Sequence, residues 1–241
     1  MKNNFIFGAA MLATLLMTSC NNNEIEMPTG FLENATIVKQ SPEIYHCYFD
    51  NSENYFISNS KVLEGVERGY FNFVFDKNEW KEHSTGDWSN ITANVSPINV
   101  FPIITPMSKE EAEKKGILAS ENLQVPKNLG IGSAGHGYLD FWGYFDAINL
   151  KDSSKNQGKL FIVFDPNEQS ADSLFLNIYF NSNILKESEF SSAPSSINSC
   201  DISVLSSLQE WNDSVAVVIR TPKEDKFCKN ISKKSFLRPM K

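Results

Sequence analysis

The chain has 241 residues and a formal net charge of −7, from 29 acidic and 22 basic side chains. Nucleic acid is therefore not an expected partner, because neutralisation of phosphates by Lys and Arg supplies most of the affinity for it. Aromatic residues make up 12% of the chain, including 18 Phe. This composition favours strands and provides a core for one large or two small domains.

The first 20 residues have the pattern of a secretory signal peptide. Lys2 is followed by the apolar run Phe5–Met17 and by two small residues, and the polar stretch after Cys20 begins abruptly. The apolar run is shorter than the roughly 20 residues that span a bilayer. Met17-Thr18-Ser19-Cys20 resembles the lipobox of bacterial lipoproteins, with Met17 in place of the usual aliphatic residue. The resemblance implies removal of residues 1–19, acylation of Cys20 with palmitate-type chains, and anchoring in the outer membrane. The alternative is an ordinary signal peptide with a chance cysteine.

The mature chain is expected to begin with a flexible tether over residues 20–30, which are polar and include Pro28 and Gly30. Short β-type runs separated by turn residues follow. Five or six such strands in a short stretch predict a small OB-like barrel over residues 31–105. The predicted strands are Ala35–Lys39, Ile44–Phe49, Tyr55–Ser58, Tyr70–Asp76, Ile91–Val95 and Ile98–Ile104. In the fourth run Phe71, Phe73 and Phe75 share one face, which we expect to be buried.

A single short helix is predicted near the junction of the two halves. Ser108 and Glu111 form a capping-box pattern, and Gly116 is a natural stop. The predicted helix spans Lys109–Lys115.

The second half predicts an immunoglobulin-like β-sandwich over residues 106–222, because helix signals are sparse and hairpin patterns recur. Ser173–Asn181 alternates clearly, with Leu174, Leu176 and Ile178 on one face. The predicted strands are Tyr138–Asp146, Lys159–Asp165, Ser173–Asn181, Cys200–Leu205 and Val215–Thr221.

The last segment, residues 223–241, is predicted to be a basic tail, since five bases and no acid lie between Phe227 and Lys241. Three interpretations remain open: a disordered solvated end, a tail that folds back on the acidic body, or one that contacts anionic lipid headgroups. A Cys200–Cys228 disulfide could pin the folded-back tail. With Cys20 lipidated, Cys47, Cys200 and Cys228 permit one disulfide at most.

At the level of pattern and order, the chain resembles the NigD-like family of bacterial lipoproteins. In the first half the resemblance rests on Ala35–Val38, on Tyr45–Asp50 and on Glu64-Gly65 through Arg68. In the second half it rests on Tyr138–Phe141, Ser173–Asn181 and Cys200–Ser203. The resemblance implies an OB-type domain followed by a β-sandwich, and a role related to bacteriocin immunity.

Three motifs are weighed against simpler explanations. Gly130–Gly135 spells G-x-G-x-x-G, but a strand pattern follows it where a dinucleotide site requires a helix, so we expect a flexible loop. His46 and Cys47 are neighbours on a strand and point to opposite faces, so they cannot form a catalytic pair. Asp165–Asp172 lacks the glycine and glutamate of a calcium loop and predicts a hairpin turn. We expect neither a metal nor a cofactor.

The candidate binding residues are Trp80, His83 and Trp88, which lie in one polar loop. Exposed aromatic rings stack on sugars, and OB folds use such loops for oligosaccharides; the alternative is core packing. Phe141, Trp142, Tyr144 and Phe145 form a second aromatic group with the same ambiguity.

The sequence therefore predicts an envelope lipoprotein that is not an enzyme, since no acid, base and nucleophile are assembled. A binding or protective module is the first hypothesis. A structural docking component or a glycan-binding surface lipoprotein is the alternative. The partner, the face of the membrane and the oligomeric state stay open.

Overall fold

The computed structural model describes residues 30–50, 52–75, 91–120, 123–124, 128–144, 159–181, 197–221 and 224–239. Within these residues the chain is mainly β with one short α-helix, as the sequence predicts. The signal peptide with Cys20 and the loop with Trp80, His83 and Trp88 lie outside the described residues, so these predictions stay predictions.

The first half is a five-stranded antiparallel sheet in the order β3-β2-β1-β4-β5. Its strands are β1 Gly30–Ser41, β2 Ile44–Phe49, β3 Tyr55–Ser58, β4 Arg68–Phe75 and β5 Ala93–Val100. The two edges of the sheet meet at a single parallel bridge between Ile57 and Thr92, where the Ile57 N–H also donates to Ile91 O at 2.9 Å. The sheet is thus a partly open barrel with the strand order of an OB fold.

The barrel core is rich in phenylalanine because alternate residues of β4 point inward. Phe71, Phe73 and Phe75 are all buried, as predicted from their spacing. They pack with residues from each of the four remaining strands of the sheet. Phe31 and Phe73 stack with ring centroids 5.4 Å apart, and Phe49 meets Phe73 edge-on at 5.0 Å.

Several predicted strand bounds in the first half are wrong; β4, for example, begins at Arg68, two residues before the predicted Tyr70. β1 begins at Gly30, the last residue of the predicted flexible tether. It therefore starts five residues before Ala35, the predicted first residue of this strand. The predicted strands Ile91–Val95 and Ile98–Ile104 are one strand, β5, and a separate short strand, β6 Ile103–Ile104. Pro97 is accommodated within β5 because β5 is the last strand of its sheet.

The helix α1 spans Lys109–Lys114, one residue shorter than predicted. Ser108 accepts a hydrogen bond from the Glu111 N–H at 3.2 Å, which confirms the predicted N-cap. Gly116, with φ of 67°, follows the end of the helix in the left-handed region, as a helix stop requires.

The second half is a β-sandwich, as predicted. One sheet has the order β6-β13-β10-β9, with β9 Asn128–Gly135, β10 Tyr138–Tyr144 and β13 Ile197–Asp201. The other has the order β15-β14-β12-β11-β7, and β8 pairs with β12. Its strands are β7 Met107–Ser108, β8 Leu123–Gln124, β11 Lys159–Phe164, β12 Ser173–Asn181, β14 Ser214–Thr221 and β15 Glu224–Ser232.

The core between these sheets contains the predicted inward face of β12, since Leu174, Leu176 and Ile178 are each at most 1% exposed. The predicted strand Cys200–Leu205 is only partly correct. β13 ends at Asp201, and residues Ile202–Leu205 form a 3₁₀ turn. Asp201 causes the change, because its carboxylate accepts from the Ser203 N–H at 3.1 Å and caps the turn.

The tail is an integral part of the sandwich, so the interpretation as a disordered solvated end is wrong. β15 pairs along its length with β14, and a 3₁₀ turn follows at Lys233–Phe236. Phe236 is buried and stacks on Trp211 with centroids 5.0 Å apart. The disulfide between Cys200 and Cys228 that the sequence permits is absent. Cys200 is a buried free thiol, and Cys228 is an exposed free thiol on β15.

Candidate functional site

A buried assembly of polar side chains lies where the barrel meets the sandwich. It is built from the glycine-rich strand β9, the turn that follows it, and the ends of β2 and β4. The sequence prediction placed its binding candidates elsewhere, at Trp80, His83 and Trp88, and none of these falls within the described residues.

The Gly130–Gly135 motif is part of a paired strand, β9, and the predicted flexible loop is wrong. Its glycines allow close approach to neighbouring groups. A Cβ on Gly135 would lie 2.5 Å from Asp50 Cα and 2.6 Å from Asp50 O, at the end of the barrel strand β2. Gly130 faces the ring of Trp142 in the same way. Gly135 thus serves packing between the two halves, while Gly130 serves packing within the second half. The next element is the strand β10 and not a helix that could bind a phosphate.

A two-residue hairpin turn joins β9 to β10 and inserts a histidine into the junction. His136 has φ of 50° and Gly137 has φ of 86°, as a type I′ turn requires. His136 Nε2 lies 2.8 Å from Phe49 O and 2.9 Å from Ser52 O, both in the barrel half. Since carbonyl oxygens only accept, Nε2 carries the proton in this arrangement.

At the centre of the junction, Arg68 binds two carboxylates that come from different halves of the molecule. Its side chain is fully buried. Arg68 Nε and Nη2 donate to Asp140 at 3.0 and 2.5 Å, in the bidentate geometry typical of Arg–carboxylate pairs. Its two terminal nitrogens also donate to Asp50, with Nη2 at 2.6 Å from Oδ2. Arg68 Nη1 donates further to Thr36 Oγ1 at 3.1 Å.

The remaining lone pairs of Asp140 are filled by hydroxyl groups of the sandwich. Ser133 Oγ donates to it at 2.8 Å and Ser199 Oγ at 2.9 Å. Ser133 Oγ in turn accepts from Asn34 Nδ2 of the barrel at 2.9 Å. We call Arg68, Asp50, Asp140, Ser133 and Ser199 the Arg68 cluster. Its polar groups satisfy one another within a buried space.

The electrostatics of the cluster favour charge on the arginine. Burial by itself lowers the pKa of Arg68, but the carboxylates of Asp140 and Asp50 outweigh it and raise the pKa above its usual range. Lys229 approaches the same site from β15 and donates to Gly132 O. Burial lowers the pKa of Lys229, while Asp50 and Asp140 oppose that shift.

Tyr138 extends the junction on the side of the C-terminal tail. Its hydroxyl donates to Glu67 at 2.6 Å, and the Arg238 guanidinium lies 3.7 Å from its ring centroid. Burial and the hydrogen bond to Glu67 raise the pKa of Tyr138. Arg238 also pairs with Asp201 at 2.9 Å. The arrangement can hold the barrel, the sandwich and the tail together.

Beside the junction, a group of rings lies on the outer face of β2 and β3, and its buried member Tyr48 lies 5.3 Å from the His136 ring. His46 stacks on Tyr55 with centroids 4.0 Å apart and an angle of 15°, and Tyr48 lies 4.9 Å from Tyr55. Burial lowers the pKa of His46. Cys47 points into the barrel core, so the prediction that His46 and Cys47 face opposite ways is confirmed.

Neither buried thiol is a ready nucleophile. Burial raises the pKa of both Cys47 and Cys200 well above the usual range, and thiolates are the reactive form. In the second aromatic group Phe141 belongs to the core and Trp142 is 38% exposed; Phe145 lies outside the described residues.

The described residues also bear on metals and membranes. No group of three or more His, Cys, Asp or Glu side chains among them could hold a metal ion. Residues Asp165–Asp172 form the predicted hairpin turn between β11 and β12, in which Asp165 accepts from the Asn167 N–H at 3.0 Å. No helix in the described part of the chain is long and apolar enough to cross a bilayer.

No family model and no curated protein matches this chain. Solved structures do resemble it. One is a protein from Parabacteroides distasonis ATCC 8503 that is provisionally described as toxin-related; it is 13% identical with a TM-score of 0.54, over 86% of this chain and 95% of that one. An uncharacterised protein from Parabacteroides merdae ATCC 43184 is 9% identical with a TM-score of 0.51, over 84% and 99%.

A third structure, from Bacteroides fragilis NCTC 9343, belongs to a protein provisionally described as a lipoprotein. It is 13% identical with a TM-score of 0.46, over 84% of this chain and 95% of that one. At these identities the first two likenesses show a shared fold of barrel and sandwich over nearly the whole described body, and they show the fold alone.

Proposed function

We propose that this chain is a lipid-anchored protein of the bacterial cell envelope that acts by binding a partner and not by catalysis. The observation that carries the proposal is the sequence Met17-Thr18-Ser19-Cys20, placed between an apolar run and a polar stretch. Two or more acyl chains on Cys20 would anchor it stably, since each buried CH₂ contributes about 0.8 kcal/mol. The outer membrane is the proposed location.

The proposed mode of action is protective or scaffolding, as the resemblance to NigD-like lipoproteins implies. The Arg68 cluster supports a binding role, because its polar groups bond to one another and hold the two halves of the molecule together. A partner would then meet a body of fixed shape. The partner is an envelope protein, including a bacteriocin-like one, in the first version of the proposal.

Glycan binding is a second candidate, favoured by the stacked, half-buried rings of His46 and Tyr55, with Tyr48 buried behind them. They occupy the outer face of β2 and β3, the face that OB folds use for oligosaccharides. Trp80, His83 and Trp88 stay the predicted loop contribution to such a site.

Metabolic labelling with an alkyne analogue of palmitate tests the anchor. Wild-type protein and a Cys228→Ser variant should both be labelled and sediment with membranes, because Cys228 is an exposed thiol unrelated to the lipobox. Cys20→Ser should be unlabelled and should be released or remain as precursor. A Cys20→Ser protein that still matures and sediments with membranes would refute the anchor.

Capture of partners tests the binding role. Lipidated protein is crosslinked in intact membranes, and the bound material is analysed separately for protein and for glycan. A specific protein supports the first version, and a specific glycan supports the second. Turnover of an envelope substrate by the purified protein would contradict both.

A further inference from the structure

The place where the described body begins fixes which side of the barrel lies near the proposed anchor. β1 starts at Gly30, ten residues after Cys20. Whatever their arrangement, ten residues span at most about 35 Å. If Cys20 carries lipid, as proposed above, the Gly30 end of β1 is therefore held close to the membrane surface.

The outer face of the barrel at this end consists of two cross-strand rows. Leu32 lies opposite Asn72 of β4, which lies opposite Ser96 of β5. In the next row, Gly30, Val74 and Asn94 are aligned in the same way. The alternate rows carry the inward-pointing side chains, because successive residues of a strand face opposite sides. We call these two rows the entry face.

The entry face is uncharged and carries two exposed apolar side chains. Leu32 is 49% exposed and Val74 is 43% exposed, while the other members are Asn, Ser and Gly. Glu33, the charged neighbour of Leu32, lies in the alternate row opposite Phe71. Glu33 is exposed beside these rows, but the two described rows themselves hold no Asp or Glu. In a chain with a net charge of −7, such rows can approach anionic headgroups with less repulsion than rows that carry carboxylates.

Among the described residues, the sandwich covers the other end of the same strands, beginning at Asn34, which donates to Ser133 Oγ at 2.9 Å. Thr36 of β1 lies opposite Arg68 of β4, and that row is buried against Asp140. Four residues, or about 13 Å along the strand, separate Thr36 from Leu32. Burial against the second half therefore accounts for one end of the outer face and not for the apolar side chains of the other.

We propose that the entry face docks on the lipid bilayer to which Cys20 is anchored, with Leu32 and Val74 inserted at the headgroup level. The short reach from Cys20, the neutral rows and the two exposed apolar side chains all favour a lipid surface as the occupant. The acyl chains hold the protein on the membrane, and the entry face sets its orientation.

Depth-dependent fluorescence quenching tests this inference. The full mature, lipidated chain carries Cys228→Ser, and Cys47 and Cys200 are buried, so a single new cysteine can be labelled. An environment-sensitive dye is placed at Leu32→Cys or Val74→Cys. Matched controls are Val62→Cys, 57% exposed in the barrel half, and Val204→Cys, 46% exposed in the sandwich. Each protein is reconstituted into phosphatidylcholine vesicles with nitroxide-labelled lipids, and its melting temperature is measured.

The dye should lose most of its emission to the nitroxide and shift to the blue at positions 32 and 74, and change little at positions 62 and 204. Membrane-bound, folded protein without quenching at 32 and 74, or with equal quenching at 62 and 204, overturns the docking and leaves the lipid anchor standing. Protein that is not lipidated and does not bind membranes overturns the proposed function together with this inference.

Discussion

Arg68 is the residue on which the junction depends, because it is a buried charge with one carboxylate partner in its own half and one in the other. A buried ion pair is costly to form. Removing only one of its two partners is costlier still, because an unpaired charge is then left in the interior. Asp50 and Asp140 would both be left in this state if Arg68 were removed.

Arg68→Met is therefore expected to lower the free energy of unfolding by about 3–5 kcal/mol. The control is Lys114→Met, which breaks the exposed Lys114–Glu110 pair on α1 and should change little. Urea unfolding of the two purified variants and of the wild type measures the difference. A loss below about 1 kcal/mol for Arg68→Met, as for a surface pair, would contradict a central role for the cluster.

His46 should make stability depend on pH near neutrality. Burial lowers its pKa in the folded state below the usual value of about 6.5. As the pH falls through 6.5, the unfolded chain binds a proton more readily than the folded one, so the folded protein loses stability. The loss is complete once the pH is below the folded pKa.

A His46→Gln variant lacks this contribution. The stability difference between wild type and variant should be larger at pH 8 than at pH 5, measured by urea unfolding at both values. A difference that stays constant or grows toward pH 5 would show that His46 is not held in its neutral form by burial.

At the scale of elements, the glycines of β9 should respond in a graded way to added side chains. A Cβ on Gly135 meets the Asp50 backbone at 2.5 Å, whereas one on Gly132 lies 3.2 Å from the Asp140 side chain. Gly135→Ala is expected to cost about 1–3 kcal/mol through overpacking, and Gly132→Ala less. Thermal melting of both variants checks the order. Equal and small effects would mean that the two halves are not packed closely along β9.

The tail offers a matched pair of neighbouring residues. Phe236 is 1% exposed and stacks on Trp211, and Leu237 is 59% exposed. Phe236→Ala should cost about 3–5 kcal/mol, as for a buried aromatic residue, and Leu237→Ala should stay within about 0.5 kcal/mol. Denaturant unfolding measures both. A tolerated Phe236→Ala would remove the tail from the folded core.

Elements with strong patterns were predictable from the sequence, and those without were not. β2, β3 and β12 match their predicted bounds, because their hydrophobic residues alternate or run continuously between turn residues. The sequence predicts a loop in place of β9, because glycines carry no hydrophobic pattern. The sequence predicts a tail in place of β15, because the lysines there are typical of a solvated end. The strand that orders β15 by pairing with it is β14.

The junction itself could not be derived from local pattern. The sequence analysis contains Arg68, Asp50 and Asp140 only as parts of a family resemblance. The ion pairs that they form join residues up to 72 positions apart. The available signal is the position of Asp140 within the apolar run Tyr138–Trp142, where an unpaired charge would be costly. That signal says a partner exists and does not say which residue it is.

On the scale of the whole molecule, the contacts describe two β halves that are joined across a buried polar surface. Strand β6, Ile103–Ile104, pairs with β13 of the sandwich, although the predicted barrel domain runs to residue 105. The division into domains 31–105 and 106–222 stays a prediction. The Arg68 cluster, the His136 turn and the packing of β9 lead us to expect that the halves unfold together.

Hydrogen exchange in rising urea, read by mass spectrometry on the full mature chain, tests this most directly. Peptides from β4 and from β12 report on the barrel and the sandwich in the same sample. We predict one common urea midpoint and one slope for both sets of protected amides, since separation of the halves would break the buried Arg68–Asp140 pair and expose the rest of the cluster. Two separate midpoints, with one half fully protected while the other exchanges, would contradict the account.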